Sequence, residues 1–406
     1  MSPPTTKSNS GLCDFCCGVS PYTVSSVRTT STGHQLGYHH RTYEDLEISS
    51  RRCPLCKLML DELIKSSHPI KLRKGKVHQV LLSSDKYHSG GHTRREVCGI
   101  TVGVTNSNAR AFLHAWADEP SDAALSGDVT GRTLHPAADS PGAFHQIQTW
   151  LNTCQRSHTE CDSVPLADAD TSSITRFPTR LLDVGTNHDK TPFIRLTDRQ
   201  NAMGPYAALS YCWGPEATQL RTLKSNLAEH ATGINICTMP ATLRDAVTAT
   251  RNLGLRYLWI DALCIIQDDT PDWLREAPQM GLIYQNAHLT IAATGSSSST
   301  GGLFHPRDTT TNQPVVELSY QPPGGGGRKL RTFFVGPHPP SFDKVVTASV
   351  WNSRGWVIQE RNLSRRIILF AAGQLFFECI RHSVGEDGLV LVAVRGRCPF
   401  RFDTCN

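Results

Sequence analysis

The sequence predicts an α/β protein with a mainly parallel sheet flanked by helices, a small Cys-rich N-terminal unit and irregular β insertions. Short apolar runs at residues 206–211, 256–260 and 288–293 predict buried strands. Two helix-length segments lie between them. Residues 240–254 have proline near the start and glycine past the end, and residues 271–287 follow. Because strands and helices alternate, we expect the strands to run parallel.

The composition is that of a soluble globular protein. The chain has 406 residues, of which 39% are apolar and 19% are charged. The first ten residues are polar, and no run approaches the ~20 apolar residues of a membrane span. These features predict a cytoplasmic protein with no membrane segment.

The positive charge is spread along the chain. The net charge is +5, and the lysines and arginines form only short clusters, such as the one within residues 71–76. A cluster of this size is more typical of a solvated loop than of a nucleic-acid-binding face. We therefore expect no nucleic-acid partner.

Changes in composition divide the chain into segments. Asp, Ala, Ser, Gly and Pro dominate residues 117–140, which indicates a linker. A helix is predicted directly after it, because Ser140 can cap it and Pro141 can take its first position. The predicted segments are a Cys-rich region at 1–116, the linker at 117–140, a helix and strands at 141–205, a central domain at 206–361 and a C-terminal extension at 362–406.

Several shorter elements surround the central domain. Residues 305–350 are rich in proline and glycine and are predicted to be an insertion with weak strand signals, including the glycine run at 324–327. Further short strands are predicted at 80–82, 100–102, 179–184, 193–196, 367–370 and 375–377.

Two Cys-x-x-Cys pairs lie near the N-terminus. They are formed by Cys13, Cys16, Cys53 and Cys56. Disulfides are rare in the cytosol, and four thiolates suit the tetrahedral coordination of zinc, so the pairs predict a structural zinc site. The competing ligands nearby are Cys17, His34, His39 and His40. Free buried thiols are the alternative.

A second element with ligand-like spacing runs from Cys154 through His158 to Cys161. Its first half lies on the face of the helix predicted after Pro141. That position favours a histidine packed in the core over a metal ligand.

The carboxyl ends of the predicted strands indicate a ligand site. In an open parallel sheet, ligands bind beyond these ends, where residues 212–214 and Asp261 fall. Asp261 could orient a ribose hydroxyl or hold an arginine, and a capping or ion-paired aspartate is the alternative. Trp213 or Trp259 could stack on a planar base, although a tryptophan is more often structural. The sequence contains no Gly-x-Gly-x-x-Gly or Walker motif.

Glu276 is an acidic residue on an otherwise apolar helical stripe. Burial would raise its pKa and a nearby arginine would lower it, and either effect marks a candidate functional group. The alternative is an ion pair with Arg354 or Arg361. Pro278 lies in the same segment and should kink the helix or end its first turn.

Blocks of sequence rich in tryptophan carry a family resemblance. They are Tyr206-Ala-Ala-Leu-Ser-Tyr-Cys-Trp-Gly214, Leu258-Trp-Ile-Asp-Ala-Leu-Cys-Ile-Ile-Gln-Asp268 and Arg354-Gly-Trp-Val-Ile-Gln-Glu360. Together they resemble the heterokaryon-incompatibility (HET) domain of filamentous fungi. The resemblance implies programmed cell death after non-self recognition, with self-association or an incompatibility partner protein as the trigger. Family members usually continue well past the end of this sequence, so the C-terminal extension is expected to be a truncation or a mispredicted exon.

The HET fold in turn is distantly similar to the Toll/interleukin-1 receptor (TIR) domain, which implies a TIR-like core. Enzymatic TIR domains cleave NAD with a glutamate a turn after a tryptophan. Here Trp273 precedes Glu276 by three positions, whereas the TIR pattern uses four. The similarity implies Glu276 and Asp261 as candidate catalytic residues and NAD as a substrate. The candidate substrate-binding residues are Trp213, Gly214, Trp259 and Arg354. The alternatives are a non-catalytic adaptor that signals death by assembling partners and, disfavoured by the dispersed charge, a zinc-dependent nucleic-acid binder.

Overall fold

A computed structural model describes most of the chain. The described ranges are 11–25, 28–29, 35–36, 38–40, 42–66, 72–84, 97–161, 178–187, 191–202, 204–215, 219–307, 314–323 and 329–391. The predictions for His34, for the glycine run at 324–327 and for the tail beyond residue 391 lie outside these ranges.

The described residues form strands and helices, numbered here in chain order. The strands are β1 (Arg28–Thr29), β2 (Gln35–Leu36), β3 (Tyr38–His40), β4 (Val80–Ser84), β5 (Gly99–Val104), β6 (Arg110–Trp116), β7 (Arg180–Asp183), β8 (Phe193–Asp198), β9 (Tyr206–Ser210), β10 (Ile234–Asn235), β11 (Tyr257–Trp259), β12 (Leu289–Ala292), β13 (Val316–Tyr320), β14 (Arg331–Pro337), β15 (Arg366–Phe370), β16 (Leu375–Cys379), β17 (Ser383–Gly385) and β18 (Val390–Leu391). The α-helices are α1 (Asp14–Cys17), α2 (Pro21–Ser25), α3 (Tyr43–Ser49), α4 (Pro54–Lys65), α5 (Asp122–Leu125), α6 (Pro141–Ser157), α7 (Leu227–Thr232), α8 (Ala241–Asn252), α9 (Asp261–Cys264), α10 (Thr270–Glu276), α11 (Met280–Asn286) and α12 (Val357–Leu363). Among these described helices, none combines the length and apolar content needed to cross a membrane.

The chain divides into two compact units. Unit 1 takes its described residues from 1–134, 309–339 and 386–390. Unit 2 takes its described residues from 135–308, 340–385 and 391–406.

Unit 2 is built on a mixed sheet of ten strands. The strand order is β10-β8-β7-β11-β9-β12-β15-β16-β17-β18. Strand β9 pairs in parallel with β11 and β12, and β12 pairs in parallel with β15. The apolar runs that predicted strands at 206–211, 256–260 and 288–293 form β9, β11 and β12, so these three strands and their parallel pairing are confirmed.

The prediction of a mainly parallel sheet flanked by helices is wrong. Only the centre of this sheet is parallel, because β7 pairs antiparallel with β8 and β11, and β15 pairs antiparallel with β16. Residues 371–374 alone connect β15 to β16. A connection this short joins antiparallel neighbours, whereas a parallel pair needs a crossover of about a dozen residues or more. The antiparallel hairpins on both sides of the parallel centre therefore make this sheet mixed and not mainly parallel.

Unit 1 contains an antiparallel sheet that the sequence did not predict as such. Its order is β13-β14-β6-β5-β4-β3, and every pair in it is antiparallel. Strands β13 and β14 come from the proline- and glycine-rich segment at 305–350 and extend this sheet from β6. One face of helix α4 is buried in the core of the unit through Leu55, Cys56, Leu58, Met59 and Leu63.

Helix α6 begins and packs as its sequence predicts. The Ser140 side chain accepts a hydrogen bond from the Ala143 N–H at 3.2 Å, and Pro141 takes the first helical position. The buried stripe consists of Ala143, Phe144, Ile147, Trp150, Leu151 and Cys154. These residues belong to the main core of unit 2.

The helix predicted at 271–287 is interrupted at Pro278. Helix α10 ends at Glu276, a 3₁₀ turn covers Ala277–Gln279, and α11 begins at Met280. Proline cannot donate the backbone hydrogen bond of a continuous helix, so the predicted break is confirmed.

Candidate functional site

A cavity of about 320 Å³ opens in unit 2 beyond the carboxyl ends of β9 and β11. Its lining includes three indoles and three charged side chains, namely Trp213, Trp273, Trp356, Asp261, Arg354 and Glu360. This is the edge of the parallel strands at which the sequence predicts ligand binding. The volume lies at the low end of the range for small-molecule sites.

Asp261 and Trp213 meet on one wall of the cavity. The Trp213 Nε1–H donates to Asp261 Oδ2 at 2.8 Å, and the Ala262 N–H donates to Oδ1 at 2.7 Å. Burial raises the pKa of the Asp261 carboxyl above its usual value, although both hydrogen bonds favour the charged form. The carboxylate is therefore held in a fixed orientation at the rim of the sheet.

Glu360 is a buried carboxyl in the lining with a raised pKa. It lies on α12, is 2% exposed, and has its pKa raised by burial to about 7. The Ser210 hydroxyl donates to Glu360 Oε2, and the Trp351 Nε1–H donates to Ser210 Oγ at 2.7 Å. A carboxyl with a pKa near neutrality can give or take a proton under physiological conditions. This hydrogen-bond relay fixes Glu360 in the site.

Arg354 supplies the positive charge of the cavity. Its Nη2 lies 3.5 Å from Glu360 Oε1. Its Nη1 is buried and has no hydrogen-bond partner among the described residues. A buried guanidinium nitrogen of this kind is a donor available to a ligand with an oxygen acceptor.

Glu276 is buried but does not line the cavity. It is 2% exposed and its Oε1 lies 3.2 Å from Arg275 Nε. The arginines of the alternative expectation pair elsewhere, Arg354 with Glu360 and Arg361 with Glu378. The catalytic role of Glu276 stays a prediction.

An ion-paired carboxylate one turn earlier anchors the same helix. Asp272 is 1% exposed and accepts hydrogen bonds from the guanidiniums of Arg180 and Arg275. It also accepts from the Ile266 N–H at 2.8 Å. Because Arg180 lies on β7, this ion pair fastens α10 to the sheet and fixes Trp273 beside the cavity.

The other two predicted binding residues, Trp259 and Gly214, have structural positions away from or beside the cavity lining. Trp259 is 1% exposed and packs edge-on against Tyr284 with ring centroids 5.6 Å apart, outside the cavity lining. Gly214 has a φ of +77°, and a Cβ there would lie 2.5 Å from the Cβ of Ser298. Gly214 thus shapes the loop that carries Trp213.

Sequence reasoning missed Glu360, Trp356 and Ser210. All three lie inside the blocks that carry the family resemblance, yet nothing in their spacing indicates that they approach Asp261. The signal that could have found Glu360 is an acid at the end of an apolar segment, where burial is expected to shift its pKa.

The four cysteines of the N-terminal pairs come together in unit 1 and are called cluster 1. Their sulfur atoms all lie within 4.8 Å of one another, with Cys16 Sγ 3.4 Å and Cys13 Sγ 3.6 Å from Cys56 Sγ. Cys13 and Cys53 precede the first residues of α1 and α4. The group could hold a metal ion, because tetrahedral zinc with 2.3 Å Zn–S bonds places its sulfurs about 3.8 Å apart.

A second group, called cluster 2, forms in unit 2. It consists of Cys154, His158, Cys161 and Cys379, whose ligand atoms also lie within 4.8 Å of one another. The spacing in the sequence identified the first three residues as a group, and the fold places Cys379 of β16 beside them.

Fold and cavity define unit 2 as a mixed α/β domain with a cavity lined by polar and aromatic side chains at the carboxyl ends of its central strands. Residues 206–360 match the family model described as heterokaryon incompatibility protein (HET). This segment is a HET domain, which confirms the resemblance carried by the tryptophan-rich blocks. A search of curated proteins and a search of solved structures found no match to the chain.

Proposed function

We propose that this protein is a cell-death effector of fungal heterokaryon incompatibility and that its HET domain cleaves a nicotinamide dinucleotide in the cavity. The HET domain supports the role in incompatibility. The observation that carries the enzymatic proposal is the Glu360 carboxyl, which has a pKa of about 7 and lies beside Arg354 in a cavity walled by indoles.

The lining suits the parts of NAD. A planar, cationic nicotinamide ring can stack on an indole face, and Arg354 Nη1 offers a donor to a phosphate or ribose oxygen. Asp261 is held by Trp213 in a position to accept a hydrogen bond from a ribose hydroxyl. The cavity has room for a ring and a sugar, with the remainder of the dinucleotide extending from its mouth.

Glu360 is the residue we assign to the chemical step. The bond between nicotinamide and ribose breaks with its electron pair leaving on the nicotinamide nitrogen, and water adds to the ribose carbon. The ionised Glu360 stabilises the positive charge on the sugar and takes the proton from the attacking water. Because the carboxylate is the active form, the rate should rise with pH through about 7.

Purified full-length protein tests this proposal directly. Nicotinamide release from NAD is measured for wild type, Glu360→Gln, Glu276→Gln and Asp198→Asn, in which the last removes an exposed carboxylate of the same unit. Loss of the catalytic carboxylate should lower kcat about 100-fold or more in Glu360→Gln, with the other two variants close to wild type. If only Glu276→Gln loses activity, Glu276 and not Glu360 is the catalytic carboxylate. An inactive wild type would rule out NAD cleavage.

A second candidate is the non-catalytic adaptor, favoured by exposed apolar side chains on the helices beside the cavity. Trp356 is 50% and Ile358 is 64% exposed, and the same helices expose Trp273, Leu274, Leu282 and Leu363. Such exposure is typical of a surface that binds protein, here a second copy or an incompatibility partner. Ile358→Glu should then abolish self-association and cell death, while the purified wild-type protein releases no nicotinamide from NAD. Cell death in yeast that persists in Glu360→Gln with constant NAD would also support the adaptor.

We also infer that cluster 1 is a structural zinc site. The support is its four thiol groups at 3.4 and 3.6 Å separations and the reducing compartment expected for the chain. Cys16→Ser should release this ion, which metal analysis of the purified protein detects.

A further inference from the structure

Cluster 2 is built from segments that are far apart in sequence. Cys154 lies in the last turn of α6, His158 caps that helix, and Cys161 ends the following 3₁₀ turn. Cys379 is the last residue of β16, and 221 positions separate it from His158. The three cysteines are fully or almost fully buried and none forms a disulfide.

The separations in the cluster match a shared metal ion. The Cys379 Sγ lies 3.4 Å from His158 Nδ1. Tetrahedral zinc with Zn–S bonds of 2.3 Å and a Zn–N bond of about 2.0 Å places sulfur and nitrogen about 3.5 Å apart. Three thiolates and an imidazole form a common ligand set for structural zinc.

The surroundings of the cluster suit a thiolate-rich site. Arg366 is 2% exposed, and its Nε–H donates to Cys154 Sγ at 3.3 Å. The His382 N–H donates to Cys379 Sγ at 3.4 Å. Donors of this kind orient metal-bound thiolates and stabilise their charge. Three thiolates around Zn²⁺ carry a net charge of −1, which the buried guanidinium offsets.

We propose that Cys154, His158, Cys161 and Cys379 bind a structural zinc ion that fastens α6 to the central sheet of unit 2. The four protein ligands fill every coordination position of a tetrahedral zinc ion, so none is left open for catalysis. The site is distinct from the candidate cavity, because none of its ligands lines that cavity.

The position of this ion indicates a structural role at the flanks of the HET segment. All four ligands lie outside the matched segment 206–360, on its N-terminal side and on its C-terminal side. Strand β16 pairs with β15, which pairs with the parallel strand β12. Trp150 on α6 also stacks on Phe377 of β16, with centroids 6.1 Å apart. The ion therefore joins both flanks of the HET segment into one folded domain.

Zinc analysis of the full-length protein, purified under reducing conditions and desalted, tests the proposal. Wild type should contain about two zinc ions per chain, one in each cluster. Cys161→Ser should contain about one, whereas Cys264→Ser, which also places a serine in the core, should keep the wild-type content. The folded state of each variant is checked by circular dichroism.

A complementary variant keeps the test decisive if Cys161→Ser does not fold. Cys16→Ser disables cluster 1 and leaves cluster 2 intact, so it should retain about one ion and, with cobalt in place of zinc, show the visible absorption of a tetrahedral thiolate site. His158→Asn should lose that ion. His382→Asn should keep it, because His382 donates to Cys379 through its backbone N–H, which asparagine retains, and its side chain is not assigned as a ligand. A Cys16→Ser chain without metal, or an unchanged zinc content in Cys161→Ser, would overturn the proposal.

Discussion

Replacing Glu360 by glutamine should change how the stability of this protein depends on pH. Burial raises the Glu360 pKa from 4.5 to about 7. The folded state therefore binds this proton more tightly than the unfolded state, and the stabilisation is lost as pH rises from about 4.5 to about 7. A difference of about 2.5 pKa units corresponds to about 3 kcal/mol. Because Glu360 is 2% exposed, no large correction for solvent screening applies.

The measurement is urea unfolding of wild type and Glu360→Gln at intervals of pH from about 4 to 8. The glutamine amide does not titrate, so the difference between the two free energies of unfolding isolates the Glu360 proton. This difference should move by about 3 kcal/mol in favour of the variant as pH rises across that window. Contributions that do not depend on the Glu360 proton shift the whole curve and leave its shape unchanged, whereas the charge interaction with Arg354 depends on that proton and is already part of the raised pKa.

Asp198→Asn serves as the matched control, because Asp198 is an exposed carboxylate of the same unit. Its stability difference from wild type, measured over the same pH range, is the reference for the Glu360→Gln curve. A flat difference for Glu360→Gln would refute the reasoning, since it would mean that the carboxyl titrates alike in the folded and unfolded states. Such a result would also remove the main support for Glu360 as a proton-transfer group.

Three further changes have expected outcomes. Gly214→Ala should destabilise unit 2 by about 2–4 kcal/mol in chemical unfolding, because it forces a Cβ into the left-handed region and against Ser298; a neutral effect would contradict the close approach. Asp272→Ala should cost about 3–5 kcal/mol, since it leaves the buried Arg180 without its carboxylate; thermal and urea unfolding would both register a loss of this size. Removing metal with a chelator should lower Tm by about 5 °C or more in wild type, and an unchanged Tm would argue against structural zinc.

Carboxylates in and behind the cavity wall of unit 2 form two pairs that bear differently on the proposed reaction. Asp272 and Glu276 both face arginines behind the cavity wall, whereas Asp261 and Glu360 line the cavity. The first pair is expected to hold α10 in place. The second pair is available to a ligand, which is why the comparison of Glu360→Gln with Glu276→Gln separates structure from chemistry.

Local features of the fold could be predicted from the sequence. The start of α6 follows from Ser140 and Pro141, and the break between α10 and α11 follows from Pro278. These features depend on residues within one turn of each other, so propensity, capping and proline geometry decide them without the rest of the chain. The apolar runs that form β9, β11 and β12 are local in the same sense.

Long-range pairing was decided only by the tertiary structure. The sequence contained the Cys154 spacing, but Cys379 joins it only when β16 pairs with β15 beside α6. In the same way, Glu360 meets Ser210 only when α12 packs near the end of β9. Periodicity tells which face of an element is apolar and leaves open which partner covers it, since that choice depends on the burial achieved by the whole domain. The strands of the parallel centre were therefore determined by the sequence itself. The hairpins around them, cluster 1, cluster 2 and the cavity were decided by how the segments pack.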